Sequence, residues 1–192
     1  MYQKGNNGLE VVSLFIGNYK SRFYLREISK LSKLPLKTCQ NVLALLEKFN
    51  VLKSKIEGKN KYFSLNLDNI KTKLYLLQAE IYKTDLFIEK YPQFKMFLKS
   101  LKITAPIIVF GSFAKFTADK NSDLDLLIIS EKELNLPFHL LPFKVHPLNF
   151  GEKTFLKALK EQENLIKEIE ENHIILSNHS FYVNTMWSYY GK

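Results

Sequence analysis

A single cysteine, Cys39, leaves this 192-residue chain no internal disulfide to form, and neither a histidine nor a second cysteine stands beside it to share a metal. It falls within an apolar helical pattern and reads as a core residue, where free cysteines are commonly found. The four histidines likewise lack the spacing of a zinc site. Long apolar runs are absent too: none approaches the ~20 residues needed to cross a bilayer, and Met1-Tyr2-Gln3-Lys4-Gly5 does not open a signal peptide. These absences point to a cytoplasmic protein with no membrane partner. Acidic residues are scarce only at the start of the chain. Residues 1–67 hold 12 Lys/Arg against 4 Asp/Glu, a net +8, whereas residues 68–192 hold 16 against 15.

An apolar content of 46% and an aromatic content of 14% are enough to bury a real core, in one large domain or two small ones. Nearly all of the net +9 belongs to the first third. Such a concentrated field suits a phosphate-backbone binder, because each neutralised phosphate releases counterions. A lysine-rich solvated surface gives the same count without a ligand.

Apolar residues recur at helical spacing in Leu9–Gly17 and again in Phe23–Leu31, where Leu25, Ile28 and Leu31 share a face. Ser32-Lys-Leu-Pro35 reads as a turn that opens a third helix through Leu36, Cys39, Leu43, Leu46 and Phe49. The pattern then changes to two strand-like runs, Val51–Ile56 and Lys61–Leu65, around Glu57-Gly-Lys-Asn60. Three helices followed by a basic hairpin form the order of a winged helix-turn-helix. Over residues 8–67, Tyr24–Leu31, Pro35–Lys48 and Lys59–Phe63 resemble archaeal and bacterial winged-helix regulators. The resemblance implies that the third helix enters the major groove and the wing touches the backbone or minor groove of duplex DNA. It nominates Lys37, Thr38, Gln40 and Asn41 on that helix and Lys59 and Lys61 on the wing. The same module also serves for protein docking or dimerisation.

Ile70, Leu74, Leu77, Ile81 and Phe87 or Ile88 continue at helical spacing from Asn69, predicting a helix that both links and packs. Phe94, Phe97, Leu98 and Leu101 suggest another beyond Pro92. No sustained heptad with flanking charges marks a coiled coil, although a homodimer through the longer helix remains an option. The most informative stretch follows. Pro106–Phe110 reads as a short buried strand, then come Gly111-Ser112 and, after ten residues, Asp123-Leu124-Asp125. A Gly-Ser pair leaving a strand lets backbone N–H groups and a hydroxyl approach a phosphate, above all where a helix starts next. Asp123 and Asp125, two apart on a strand, project from one face. Paired carboxylates beside a phosphate cradle suit Mg²⁺ and phosphoryl or nucleotidyl transfer, although Asp-x-Asp alone also occurs at solvated strand ends.

Gly-Ser, ten residues, Asp-x-Asp resembles the defining motif of the polymerase-β-like nucleotidyltransferase superfamily, and Ser122-Asp123-Leu-Asp125-Leu126 is close to its usual wording. The resemblance runs from about Ile103 onward and is sharpest from Phe110 to Ile129. It implies an α+β fold with a mixed sheet flanked by helices. Gly111 and Ser112 would hold the triphosphate, with Lys115 and Ser122 as further nucleotide contacts, and Asp123 and Asp125 would be the catalytic residues that bind metal, as Mg²⁺ or Mn²⁺. ATP is the expected nucleoside triphosphate. Two positions depart from the family. Phe116 stands where a glycine usually follows the basic residue, which suggests a loop of different shape. The strand Phe143–Leu148, where a third carboxylate is expected, contains none and offers His146 as a candidate base. Glu131 and Glu133 follow the Asp strand too soon to substitute, and Glu152 is a remote candidate.

Glu152–Asn172 reads as one charged amphipathic helix and Ile174–Ser177 as a short apolar run. The aromatics of Phe181–Tyr190 suit a terminal helix packed on the sheet, or a partner surface. The expected organisation is a winged helix over 1–67, a helical linker over 68–102 and a nucleotidyltransferase domain over 103–192. The expected activity is transfer of a nucleoside monophosphate to an acceptor hydroxyl, coupled to DNA binding. Minimal members of the resembled family include antitoxins that modify a partner toxin, which makes a protein acceptor one expectation. The competing expectation is a DNA-binding regulator whose second domain senses nucleotide without turning it over.

Overall fold

The order of elements follows the apolar pattern closely in the first half of the chain. The computed structural model describes residues 6–191, so Met1–Gly5, read above for a signal peptide, lie outside the described residues. Two compact units divide the chain: one runs to Tyr82 and takes in the residues from Val183 onward, and the other is Lys83–Tyr182. These spans differ from the 1–67, 68–102 and 103–192 division expected from sequence. Among the described residues, no helix is long and apolar enough to cross a membrane.

In the first unit, helix α1 (Asn7–Ser13) is followed by a short strand β1 (Phe23–Tyr24), then α2 (Leu25–Ser32) and α3 (Leu36–Lys48). The hairpin strands are β2 (Leu52–Glu57) and β3 (Asn60–Leu65), and the antiparallel sheet has the order β1-β3-β2. Phe23 and Tyr24 were expected in the second helix but pair with Phe63 and Tyr62. The reason is local: the Tyr24 N–H donates to the Glu27 carboxylate at 2.9 Å, which caps α2 and leaves Tyr24 in extended backbone. Pro35 precedes α3 as its N-cap residue, and Cys39 is fully buried, with its Sγ 3.7 Å from the Ser32 hydroxyl. Gly58 turns the hairpin at φ +61°. The C-terminal end of α9 (His179–Tyr190) belongs to this unit, where Tyr190 stacks on Tyr19 at 5.4 Å between centroids.

Helix α4 (Ile70–Lys90) corrects one expectation. Ile70, Leu74 and Ile81 of the predicted packing stripe are 62%, 53% and 51% exposed, while Thr72, Leu76, Ala79 and Glu80 are buried instead. The buried face includes the Thr72 hydroxyl, which donates to the Val51 carbonyl at 3.2 Å.

The second unit is built on a mixed four-stranded sheet. Its strands are β4 (Ile107–Phe110), β5 (Leu124–Ile129), β6 (Val145–Phe150) and β7 (Ile174–Ser177), in the order β6-β5-β4-β7. The central pair β4/β5 and the pair β4/β7 are antiparallel, whereas β6 runs parallel to β5 along the edge, with Pro147 opposite Leu126. The helices of this unit are α5 (Phe94–Ser100), the single turn α6 (Gly111–Ala114), α7 (Glu152–Glu161) and α8 (Asn164–Glu171). The expected single helix over Glu152–Asn172 is thus two. Gln162 takes a left-handed conformation (φ +53°) and the Glu163 N–H returns to the Ala158 carbonyl, a Schellman ending that needs no glycine here. One face of the sheet packs on an aromatic cluster of Phe87, Tyr91, Phe94, Phe97 and Phe113. Phe113 is nearly fully buried, with ring centroids 4.7 Å from Phe143 and 5.1 Å from Tyr91. Truncation of Phe113 to Ala is expected to cost about 3–5 kcal/mol, measured as a lower urea midpoint at unchanged m-value.

Candidate functional site

The central antiparallel pair brings the motif residues together. Phe110, the last residue of β4, is in register with Asp125 on β5. The chain then turns sharply at Gly111, whose φ of +68° opens α6, and a β-carbon there would lie 2.6 Å from Asp125 Oδ2. Both the left-handed backbone and the contact with the carboxylate therefore require glycine. The loop closes through the Ser112 carbonyl, which accepts the N–H groups of Thr117 and Ala118 at 3.0 and 3.2 Å. Among the described residues the Ser112 hydroxyl makes no hydrogen bond.

Asp123, just before β5, and Asp125 within it share one side of the strand, as two-residue spacing dictates. The parallel neighbour β6 sets His146 directly opposite Asp125. Its imidazole lies between the two acids, with Nε2 3.7 Å from Asp123 Oδ2 and Nδ1 3.7 Å from Asp125 Oδ1. Lys144 Nζ stands 3.8 Å from Asp123 Oδ2. These separations exceed hydrogen-bond length and amount to charge proximity at a site open to water. The strand expected over Phe143–Leu148 is β6, Val145–Phe150, and it is mostly exposed at the sheet edge, which makes His146 accessible. Burial holds the Asp125 carboxyl above the usual range; the nearby negative charges of Asp123 and Glu168 add to the effect, and His146 opposes it.

The donor set suits a hard divalent cation. Among the described residues no group of three or more His, Cys, Asp or Glu is arranged to hold a metal. Two carboxylates with solvent access are nevertheless the share of ligands that Mg²⁺ takes from protein when substrate phosphates and water supply the rest. Asp123 and Asp125 are the residues that would hold it.

The other nominated residues are placed differently. Lys115 Nζ is paired with Glu168 on α8 at 2.7 Å. The Ser122 hydroxyl accepts the Asp119 N–H at 2.9 Å and donates to the Asp119 carboxylate, closing the turn before Asp123. Glu131, at the opposite end of β5 from Asp125, accepts the Glu152 N–H at the start of α7. The Glu131 carboxylate is thereby engaged at the start of α7, away from the Asp pair. Phe116 keeps a left-handed backbone, φ +58°, in spite of its side chain. The ring stacks with Tyr91 at 6.4 Å, Lys90 lies over it, and Lys90 Nζ also donates to the Phe116 carbonyl. Such packing offsets the ~1–3 kcal/mol that the conformation costs a non-glycine residue. Sequence reasoning missed Lys144, Glu168 and Lys90. Two-residue spacing from His146 could have found Lys144; nothing local signals the other two.

In the first unit, Lys37, Gln40 and Asn41 are exposed on α3, Thr38 is half-buried and Lys59 is exposed in the hairpin turn. Lys61 is held by Glu47 at 2.8 Å. Burial alone would raise the Glu47 carboxyl, but hydrogen bonds from Lys61 and Ser54 outweigh it and leave the group below its usual range. Gln40, Glu47, Lys59 and Lys61 line one open groove between α3 and the hairpin.

Residues 92–183 match the family model described as the nucleotidyltransferase domain. No curated protein and no solved structure matches the chain. The matched span contains the Gly-Ser turn, the Asp pair and His146. Gly111→Ala is expected to destabilise the fold by about 1–3 kcal/mol, because it strains a left-handed position and displaces Asp125. Ser112→Ala should leave stability unchanged, and denaturant titration of both variants reads the difference.

Proposed function

We propose that the unit Lys83–Tyr182 transfers a nucleoside monophosphate from a nucleoside triphosphate, ATP first among candidates, to an acceptor hydroxyl. The juxtaposition of Gly111, the two aspartates and His146 carries this reading. The backbone of Gly111 and the hydroxyl of Ser112 face the phosphates, where the lack of a β-carbon permits close approach. Asp123 and Asp125 hold Mg²⁺ or Mn²⁺, which when bound neutralises phosphate charge and polarises the reacting phosphoryl group. The acceptor oxygen forms a bond to the α-phosphorus as the bond from that phosphorus to the bridging oxygen breaks, and pyrophosphate leaves with the bridging oxygen. The acceptor proton passes to His146, whose imidazole lies 3.7 Å from each carboxylate. A domain this small suits a macromolecular acceptor that brings its own surface, such as a toxin protein, better than processive polymerisation. With labelled α-phosphate nucleotides, divalent metal and lysate of the source cell, the protein should label a macromolecule, and Asp123→Asn with Asp125→Asn should not. His146→Ala should lower the rate by about 10²-fold at unchanged nucleotide affinity. Binding without labelling under all four nucleotides would leave a nucleotide sensor as the better account.

The first unit supports a second reading, in which a winged helix binds duplex DNA and the nucleotidyltransferase domain regulates it. Its support is the +8 of residues 1–67 together with Lys37, Gln40, Asn41 and Lys59 on exposed positions of α3 and the hairpin. Fluorescence anisotropy of the full chain on duplex DNA should show steep salt dependence, with the log–log slope reduced by about 1 for each phosphate contact removed by Lys37→Ala or Lys59→Ala. Absence of binding at low salt would sink this reading.

A further inference from the structure

The acid pair is matched across β5 and β6 by a basic pair. The Leu124 N–H donates to the Lys144 carbonyl at 2.8 Å, and Asp125 is in register with His146. Lys144, the residue before β6, therefore stands beside Asp123 as His146 stands beside Asp125. Two-residue spacing turns both basic side chains to the side of the sheet that the acids occupy. The Lys144 side chain is 71% exposed, and its Nζ lies 3.8 Å from Asp123 Oδ2. Among the described residues that Nζ donates no hydrogen bond. An exposed pair at this separation contributes little to stability, so the fold gives no reason for a cation here. Two further cations at the motif are engaged: Lys115 with Glu168 at 2.7 Å, and Lys90 with the Phe116 carbonyl.

What the Lys144 ammonium can serve follows from the order of the strands. In β6-β5-β4 the acids of β5 have Gly111, which follows β4, on one flank and Lys144 and His146 on the other. With the terminal phosphates against Gly111 and Ser112, the α-phosphate and the acceptor lie toward β6. When the two carboxylates are engaged with a divalent ion, Asp123 no longer balances the ammonium, and a non-bridging oxygen of the α-phosphate takes the carboxylate's place. We propose that Lys144 is a substrate-binding residue that pairs with the α-phosphate of the nucleotide, beside His146. The inference rests on the nucleotidyltransferase reading and adds to it the cation that meets charge at the reacting phosphorus. A compact charge on a flexible stem can make this exchange of partners without movement of the strand.

Calorimetry of the full chain with Mg²⁺ and the α,β-methylene analogue of ATP, which cannot release pyrophosphate, reads binding apart from turnover. Lys144→Ala should weaken the analogue about tenfold, the loss of one charge-assisted hydrogen bond, at an unchanged urea midpoint. Lys144→Arg should keep most of the affinity. Inorganic pyrophosphate with Mg²⁺, which has no α-phosphate, should bind the wild-type chain and Lys144→Ala equally. Mn²⁺ alone, followed by electron paramagnetic resonance, should bind Lys144→Ala at least as tightly as wild type, because a competing cation has been removed. A lysine that only balances Asp123 gives the opposite sign for the nucleotide: Lys144→Ala then binds both metal and analogue more tightly, which overturns the proposal. An equal loss for pyrophosphate overturns it too, by moving the contact to the terminal phosphates. A wild-type chain that binds no analogue with metal present removes the nucleotidyltransferase reading itself, whereas wild-type binding with no loss in Lys144→Ala removes the Lys144 assignment alone.

Discussion

The side chain of Asp125 occupies the space that a β-carbon on residue 111 would need, and much of the second unit's geometry depends on that contact. The β4/β5 register sets Phe110 opposite Asp125, so the first residue after β4 must turn away beneath a carboxylate. Only glycine combines the required clearance with φ +68°. The turn then directs the Ser112 carbonyl back toward Thr117 and Ala118, and Phe116 is carried into its left-handed conformation. A different register would separate the Gly-Ser turn from the acid pair even with every motif residue retained.

Electrostatics divides the labour between the two units. The excess positive charge lies in the first 67 residues, where cations cluster around α3 and the hairpin; among the described residues Lys61 is paired with Glu47, and Arg22 and Lys55 with Glu57. In the second unit the balance is nearly even, and charge is concentrated instead at one place. Burial raises the proton affinity of the Asp125 carboxyl, His146 works against it, and the charges of Asp123 and Glu168 add to it. A cation brought to this cluster relieves repulsion already present in the folded chain.

The approach of the Gly-Ser turn to the acid pair was legible because its information is local. A buried strand, Gly-Ser and Asp-x-Asp lie within twenty residues, and the alternation of a strand is enough to put both acids on one side. His146 could be nominated because it stands on the next strand. Its position between the carboxylates depends on the parallel pairing of β6 with β5, which no local pattern specifies. Glu168 is farther still, on a helix whose start depends on Gln162 adopting a backbone usually left to glycine. The same kind of ambiguity misled the reading of α4. The face with Leu76 and Ala79 is the buried one, and it includes the Thr72 hydroxyl bonded to the Val51 carbonyl. Periodicity identifies a helix more readily than it identifies the helix's rotation.

Pro147 lies in β6, on the border of the sheet, one residue beyond His146. A proline there presents no N–H to an incoming strand, so the border resists extension by another chain's backbone. The exposed imidazole can consequently sit at an open rim without that rim becoming a site of strand addition. A macromolecule reaching the acid pair past this rim would have to be recognised by its side chains and shape rather than by joining the sheet.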